Sequence, residues 1–205
     1  MIIKHFELSK INNFKAKIFL LYGQNEGFKT DITKKYFIDK FKNDIFRYDE
    51  KEILENKSNF FNGILSKSFF EEKKLFIISR VTDKLTNIIE EILEKEIKDI
   101  TIVLNALILD KKSKLRKLFE KNRDVICIPV YEDNNQTLSA IARDFFKTNK
   151  ILISQETINL LIERSRGDRG NLINELKKIE SYMKTHSNIS SEEIIKLTDL
   201  AENYN

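Results

Sequence analysis

The sequence predicts an α/β fold: a mostly parallel sheet of about five strands covered by helices, followed by a small all-helical domain. Three observations lead there. Short apolar runs alternate with stretches of helical periodicity as far as residue 130. The runs are continuous, as in strands buried on both faces, and helices between them supply right-handed crossovers. After the polar turn Asp133-Asn134-Asn135 no strand candidate recurs, which places a domain boundary near Asn135 and gives domains 1–135 and 136–205.

Each element has its own signal. Ile18-Phe19-Leu20-Leu21-Tyr22 is the first strand and opens at Gly23 into Gly23-Gln24-Asn25-Glu26-Gly27-Phe28-Lys29-Thr30. Ile32, Tyr36, Phe37 and Phe41 recur at helical spacing, predicting a helix through Lys42, and Ile45-Phe46-Arg47-Tyr48 is a short second strand. A helix over residues 51–65 carries Ile53, Phe60, Phe61, Ile64 and Leu65, and residues 75–79 form the third strand. Ile88, Ile89, Ile92 and Leu93 define a helix over 87–95, residues 100–104 the fourth strand, 111–121 a basic helix with Leu115 and Leu118 inward, and 125–130 the fifth strand. Beyond the boundary, Leu138, Ile141, Ala142, Phe145 and Phe146, then Ile158, Leu161 and Ile162, pattern as helices. Leu172, Leu176, Ile179 and Met183 form a narrow seam suited to a small bundle. The last helix starts at a capping box, Ser190 with Glu193, stapled by Ile189 and Ile194.

Composition sets the outer limits. The chain has 205 residues, 41% of them hydrophobic, enough for one large domain or two ordinary ones. Its 36 Lys and Arg against 32 Asp and Glu leave a mild +4. The richness in Lys, Ile and Asn, with one proline at Pro129, reads as genome-wide bias and not as a surface selected for a polyanion. The single cysteine, Cys127, lies in an apolar run, cannot form an internal disulfide and fits a reducing compartment. No apolar run approaches the ~20 residues of a membrane span, so a cytoplasmic location is expected.

The stretch over residues 66–80 joins two segments that need burial, the helix ending at Leu65 and the strand starting at Leu75. Between them Phe69 and Phe70 stand among Ser68, Glu71 and Glu72. Adjacent side chains diverge by about 100° on a helix and point to opposite faces of a strand, so one core surface rarely covers both. Two readings follow: a protein-binding hot spot with a charged rim, or two rings plugging the end of the preceding helix against the sheet.

Gly23 to Lys29-Thr30 has the overall length of a Walker A loop. The residue before the lysine is Phe28, however, where a phosphate cradle needs glycine, and the glycine sits one place early at Gly27. The third strand runs into Arg80 where Mg²⁺ coordination would want a carboxylate, with Asp83 three residues further. Gly23, Gly27, Lys29 and Thr30 therefore read as a degenerate loop that binds no nucleotide and needs no cofactor. His5 and His186 lack ligand-spaced neighbours, so no metal site is expected; Ser66, Ser68 and Ser79 lack a partner histidine. The turn Arg164-Ser165-Arg166-Gly167-Asp168-Arg169-Gly170 offers three arginines for a phosphate, DNA or a neighbouring subunit. Alternatively Gly167 ends one helix, Asp168 caps the next and the arginines are solvated. The basic face of Lys111, Lys112, Lys114, Arg116 and Lys117 reads as solvated.

Taken in order, Leu21-Tyr22-Gly23-Gln24-Asn25-Glu26-Gly27, Ser68-Phe69-Phe70-Glu71-Glu72-Lys73-Lys74-Leu75, Leu109-Asp110-Lys111-Lys112-Ser113-Lys114-Leu115, and Gly167-Asp168-Arg169 with Asn174-Glu175-Leu176-Lys177-Lys178-Ile179 resemble the delta subunits of the bacterial DNA polymerase III clamp loader. The resemblance runs through the whole chain, although each motif alone is short. It implies an AAA+-like domain of P-loop NTPase type, a helical lid, and loss of ATP binding. It also implies a third, C-terminal collar domain that is absent from these 205 residues and through which delta meets the gamma/tau and delta prime subunits.

In that family a Leu-Phe pair before the third strand enters a hydrophobic pocket of the sliding clamp (the beta subunit), and delta springs one ring interface open. The pair falls on Phe69 and Phe70, with Phe in place of the family's usual Leu at the first position. Phe70 and part of Phe69 are then expected at the surface. Two buried rings would supply about 3 to 6 kcal/mol before association costs, and a subunit that fits the sprung ring better opens it by differential binding. The leading expectation is thus a non-catalytic subunit of the DNA-directed DNA polymerase complex, a nucleotidyltransferase assembly of DNA replication, which meets DNA inside the assembled loader. The other classes are a P-loop NTPase using Lys29 and Thr30, and a stand-alone nucleic-acid-binding module using Arg164, Arg166 and Arg169.

Overall fold

The computed structural model describes residues 1–3, 7–8, 11, 16–40, 45–66, 73–95, 97, 99–186 and 188–198. The chain divides into two compact units, Met1–Gln24 with Lys29–Tyr131, and Asn25–Phe28 with Glu132–Asn205.

In the first unit, strands β1 (Ile18–Tyr22), β2 (Ile45–Asp49), β3 (Lys74–Val81), β4 (Ile100–Ala106) and β5 (Val125–Pro129) form a five-stranded sheet in the order β2-β3-β4-β1-β5. Every pairing is parallel. β1 lies between β4 and β5 and all five of its residues are buried, which is why its sequence is a continuous apolar run. β5 is an edge strand in the sheet order, but the chain start covers it: Ile3 donates to the Cys127 carbonyl at 2.9 Å and Cys127 donates to Met1 at 2.8 Å. Burial pushes the Cys127 thiol up to about 12, which makes it a core side chain and not a nucleophile.

Ile18, Leu20, Tyr22, Phe76, Ile78, Ile102, Leu104 and Cys127 gather on one face. Against them pack Ile53 of α2 (Glu50–Glu55), Phe60, Phe61 and Ile64 of α3 (Lys57–Leu65), Ile88, Ile89 and Ile92 of α4 (Thr86–Glu94), and Leu115 and Phe119 of α5 (Lys114–Lys121). Phe19 alternates to the other face, where its ring meets Phe37 edge-on at 4.8 Å.

Several elements depart from their predicted extents, three of them around helix ends. The single helix expected over 51–65 is two, because Asn56 leaves helical geometry (φ −139°, ψ 66°) and its side chain accepts from Asn59 to start a new helix. The basic helix begins at Lys114, not 111, since Asp110 Oδ1 accepts from the Lys112 and Ser113 amides in a tight turn before the Ser113 cap. The helix after the glycine loop, α1 (Glu26–Tyr36), gives way to a 3₁₀ turn at Ile38–Lys40, and Phe41 lies outside the described residues.

The second unit contains α6 (Asn135–Thr148), α7 (Gln155–Arg164), α8 (Arg169–Met183) and α9 (Ser191–Leu197). Its core is Leu138, Ala142, Phe146, Ile158, Leu161, Leu172, Leu176, Ile179 and Ile194. Each helix has a side-chain cap, from Asn134, Ser154, Asp168 and Ser190 in turn, and each cap contributes about 1 kcal/mol. The Ser190–Glu193 box and the packing of Ile189 and Ile194 on the core are as the sequence predicts.

Candidate functional site

The glycine-rich turn after β1 is the natural place to look, because in an open parallel sheet ligands bind beyond the carboxyl ends of the strands. Gly23 has φ +141°, and a Cβ there would lie 1.9 Å from the Val130 carbonyl oxygen. Only glycine lets β1 turn out of the sheet at this point. Lys29, the lysine of the would-be phosphate loop, is 2% exposed, and its ammonium donates to the Ala106 carbonyl at the end of β4 at 2.7 Å. Thr30 beside it is exposed.

The carboxylate that could stand in for a metal-binding acid is also engaged. Asp83 accepts from the Ser113 hydroxyl at 2.6 Å and from the Lys114 and Leu115 amides at 3.0 Å each, capping α5 from the 3₁₀ turn at Asp83–Leu85. Burial raises its carboxyl, but these hydrogen bonds outweigh that and hold it below the ordinary value. Arg80, at the position where a metal-binding acid would sit, has φ +55° and is ion-paired with Asp49. Among the described residues no group of three His, Cys, Asp or Glu could hold a metal ion.

Within the second unit, Asn25 Oδ1 accepts from the Phe28 amide at 2.9 Å, one of the donors a bound phosphate would need at a helix N-terminus. Glu26 adds a like charge in the same turn. Asn25 Nδ2 donates to Asp133 Oδ2 at 2.7 Å, and Arg169 forks the same carboxylate, Nε to Oδ2 at 2.6 Å and Nη2 to Oδ1. The Arg169 guanidinium also lies 3.7 Å from the Phe28 ring centroid. A Cβ on Gly27 would come within 2.6 Å of the Gly170 amide, so this glycine serves close backbone packing. Burial raises the Asp133 carboxyl, yet the bonds from Arg169 and Asn25 bring it below its usual range.

The other basic residues separate by role. Arg164 donates to the Ile195 carbonyl at 2.7 Å and to Thr198 Oγ1 at 3.0 Å, tying α7 to the end of α9. Arg166 is exposed at φ +54°, Gly167 follows at φ +68°, and Asp168 caps α8. In the first unit Lys114 and Lys117 line a shallow cleft of about 530 Å³ with Thr86, Glu90 and Leu118. Arg116 instead pairs with Glu120 at 2.7 Å and covers the Tyr22 ring. His186 is stacked on Tyr182; His5 lies outside the described residues.

Ser68, Phe69, Phe70, Glu71 and Glu72 lie outside the described residues as well. Their described flanks stand at the amino edge of β3, the end of the sheet opposite Gly23: Leu65 is 53% exposed, and Ser66 and Lys73 are exposed. Two side chains that organise these regions were assigned no hydrogen-bond partner from sequence. Asp133 meets Arg169 across 36 residues, a pairing with no local signal. Asn25 did carry one, a cap-type residue directly before a helix.

No family model matches this sequence, and no curated protein does. Solved structures do match. The Bacillus subtilis DNA clamp loader delta protein aligns with TM-score 0.60 and 17% identity over 94% of this chain, which spans 60% of that protein. A point variant of Thermotoga maritima RuvB, a Holliday junction branch migration motor, aligns with TM-score 0.59 and 17% identity, covering 95% of this chain and 65% of that one. Domain III of the T. maritima replication initiation protein DnaA aligns with TM-score 0.54 and 16% identity, covering 98% and 91%. The fold is AAA+-like, as the sequence order of motifs implies. No described helix is long and apolar enough to cross a membrane.

Proposed function

We propose that this chain is a clamp-loader subunit of delta type that turns over no ATP, binds the ring-shaped sliding clamp through Phe69 and Phe70 with Ser68, Glu71 and Glu72 as rim, and helps open the ring for loading on DNA during replication. Its partners are then the clamp and the other clamp-loader subunits, in the cytoplasm, with DNA held by the assembled loader.

One observation carries this reading. Two donors of the glycine loop already hold partners, each within its own unit: the Phe28 amide on Asn25 and the Lys29 ammonium on Ala106. A phosphate at the Phe28 amide would have to displace its bond to Asn25, and one at Lys29 would compete with a buried, charged hydrogen bond of a kind that contributes about 1.5–3 kcal/mol. An AAA+-like fold whose glycine-loop donors are engaged inside the protein suits a scaffold that recognises a partner. The likeness to a clamp loader delta protein and the exposed Leu65 ahead of the Phe pair support the same partner.

The test is co-elution of the chain with the sliding clamp of the same organism, wild type against the Phe69→Ala, Phe70→Ala double variant. Co-elution of wild type alone is expected; co-elution of both with equal affinity removes the Phe pair from the interface.

A further inference from the structure

Helices α4 and α5 lie side by side on the sheet of the first unit, with a cleft of about 530 Å³ between them. Lys114, Lys117, Leu118 and Lys121 form its α5 wall. That spacing of i, i+3, i+4 and i+7 is one face of a helix, so the three ammoniums stand in a row rooted along about 10 Å of α5. Across from them α4 contributes Thr86, Asn87 and Glu90, and Asn122 lies at the end of α5. The three lysines and Glu90 are exposed, and among the described residues none of the four forms an ion pair. Glu91, Glu120 and Asp83 serve other groups: Glu91 holds Lys57 and Lys95, Glu120 holds Arg116, and Asp83 is bonded to Ser113 and to the Lys114 and Leu115 amides. Lysines three and four residues apart repel each other, and Lys114, in the first turn of α5, also opposes the helix dipole. An anionic occupant relieves both.

The cleft is not wholly charged. Leu118, between the lysines, is half-buried on the core and gives it an apolar floor, while Asn87, Asn122 and Glu90 bring amide donors and acceptors and a carboxylate. That mixture separates the possible anions. A nucleic-acid backbone gains from the lysines alone, meets Glu90 as a like charge and leaves Leu118 unused. A peptide with acidic and apolar side chains engages the whole cleft: its carboxylates meet the lysines, an apolar side chain covers Leu118, and its backbone amides donate to Glu90 and to the asparagine carbonyls. We propose that the α4–α5 cleft is a docking site for an acidic, partly apolar peptide segment of a partner protein, about four residues of extended chain at the length of the lysine row. The proposal goes beyond the clamp reading and stands or falls independently of it.

The experiment measures the fluorescence anisotropy of a dye-labelled peptide, Gly-Asp-Glu-Leu-Asp-Glu-Leu-Gly, titrated with the full chain at about 0.1 M salt, beside the same peptide with both leucines replaced by serine and a short labelled duplex DNA. Three proteins are compared: wild type, the cleft variant Lys114→Gln, Lys117→Gln, Lys121→Gln, and a control of equal net charge, Lys147→Gln, Lys177→Gln, Lys184→Gln, whose lysines are exposed on the second unit. Saturable binding of the acidic peptide by wild type is expected, weakened at least about tenfold in the cleft variant and by less than about twofold in the control. The serine peptide should bind at least about threefold more weakly, because the apolar contact with Leu118 is lost. Thermal unfolding checks that the variants are folded; if the cleft variant is not, Lys117→Gln alone should weaken binding about threefold. No saturable peptide binding, an equal loss in both triple variants, or a serine peptide that binds as tightly overturns the proposal. Duplex DNA that binds more tightly than the peptide, and whose binding is lost in the cleft variant, also overturns it and assigns the cleft to a nucleic-acid backbone.

Discussion

Replacing Asp133 by asparagine tests whether the internal anion beside Arg169 holds the second unit together. The Asp133 and Arg169 side chains are 5% and 11% exposed and meet through two parallel hydrogen bonds, with Asn25 as a third donor. Asparagine keeps the shape and one acceptor but takes away the carboxylate charge that the guanidinium forks in a desolvated place. Breaking one partner of such a pair costs about 3–5 kcal/mol, and the modest exposure of Arg169 puts the expectation near 3 kcal/mol. Asp133→Asn should therefore lower the urea midpoint by about 1–2 M. Adding Arg169→Met should cost less than it does in the wild type, because the two side chains act as a pair. The pH dependence has a definite sign. The native carboxyl lies below its ordinary 3.8, so its stabilisation is complete above that value and is lost as pH falls below it toward the native pKa. The variant should lose this part of its acid sensitivity. A change under about 0.5 kcal/mol, with an unaltered acid limb, would refute the pairing as a structural tie.

Asp83→Ala removes three hydrogen bonds from the start of α5, and thermal unfolding should report a loss of about 2 kcal/mol, twice an ordinary cap; a change within 0.5 kcal/mol, on the scale of ordinary surface substitutions, would show that Ser113 caps the helix unaided. Equilibrium titration with a fluorescent ATP analogue and Mg²⁺ should give no saturable binding to wild type or to Lys29→Met, while Lys29→Met should lose about 1–3 kcal/mol of stability by removing the buried bond to the Ala106 carbonyl. Saturable binding that disappears in Lys29→Met would favour the P-loop NTPase reading.

The parallel sheet was readable because strands buried on both faces must be apolar throughout, as β1 and β5 are. The helices of the second unit were readable from period and caps: Asp168 and Ser190 advertise helix starts within four residues of the groups they satisfy. The break at Asn56 had a local signal too, an asparagine amid apolar spacing, but the periodicity of Ile53, Phe60 and Ile64 continues across it and conceals it. Long-range polar pairs left no trace. Asp83 on α5, Arg169 on Asp133 and Lys29 on Ala106 join residues 31 to 77 positions apart, and neither period nor composition encodes such partners. The Lys29 bond bears on the glycine loop: sequence shows that Phe28 is wrong for a phosphate cradle, and the structure adds that the Phe28 amide and the Lys29 ammonium already have acceptors. Lys74 was likewise hidden, since a lysine before an apolar strand looks like a solvated flank until its acceptors on Gly63 and Ser66 are seen.

Titration of the full chain into the cognate sliding clamp, wild type against the Phe69→Ala, Phe70→Ala double variant, tests the central proposal most directly. Saturable binding by wild type, weakened at least about a hundredfold in a double variant with unchanged unfolding, is expected, since that loss is about 2.7 kcal/mol against the 3 to 6 kcal/mol two buried rings supply. No binding by wild type, or equal binding by a folded double variant, would contradict it.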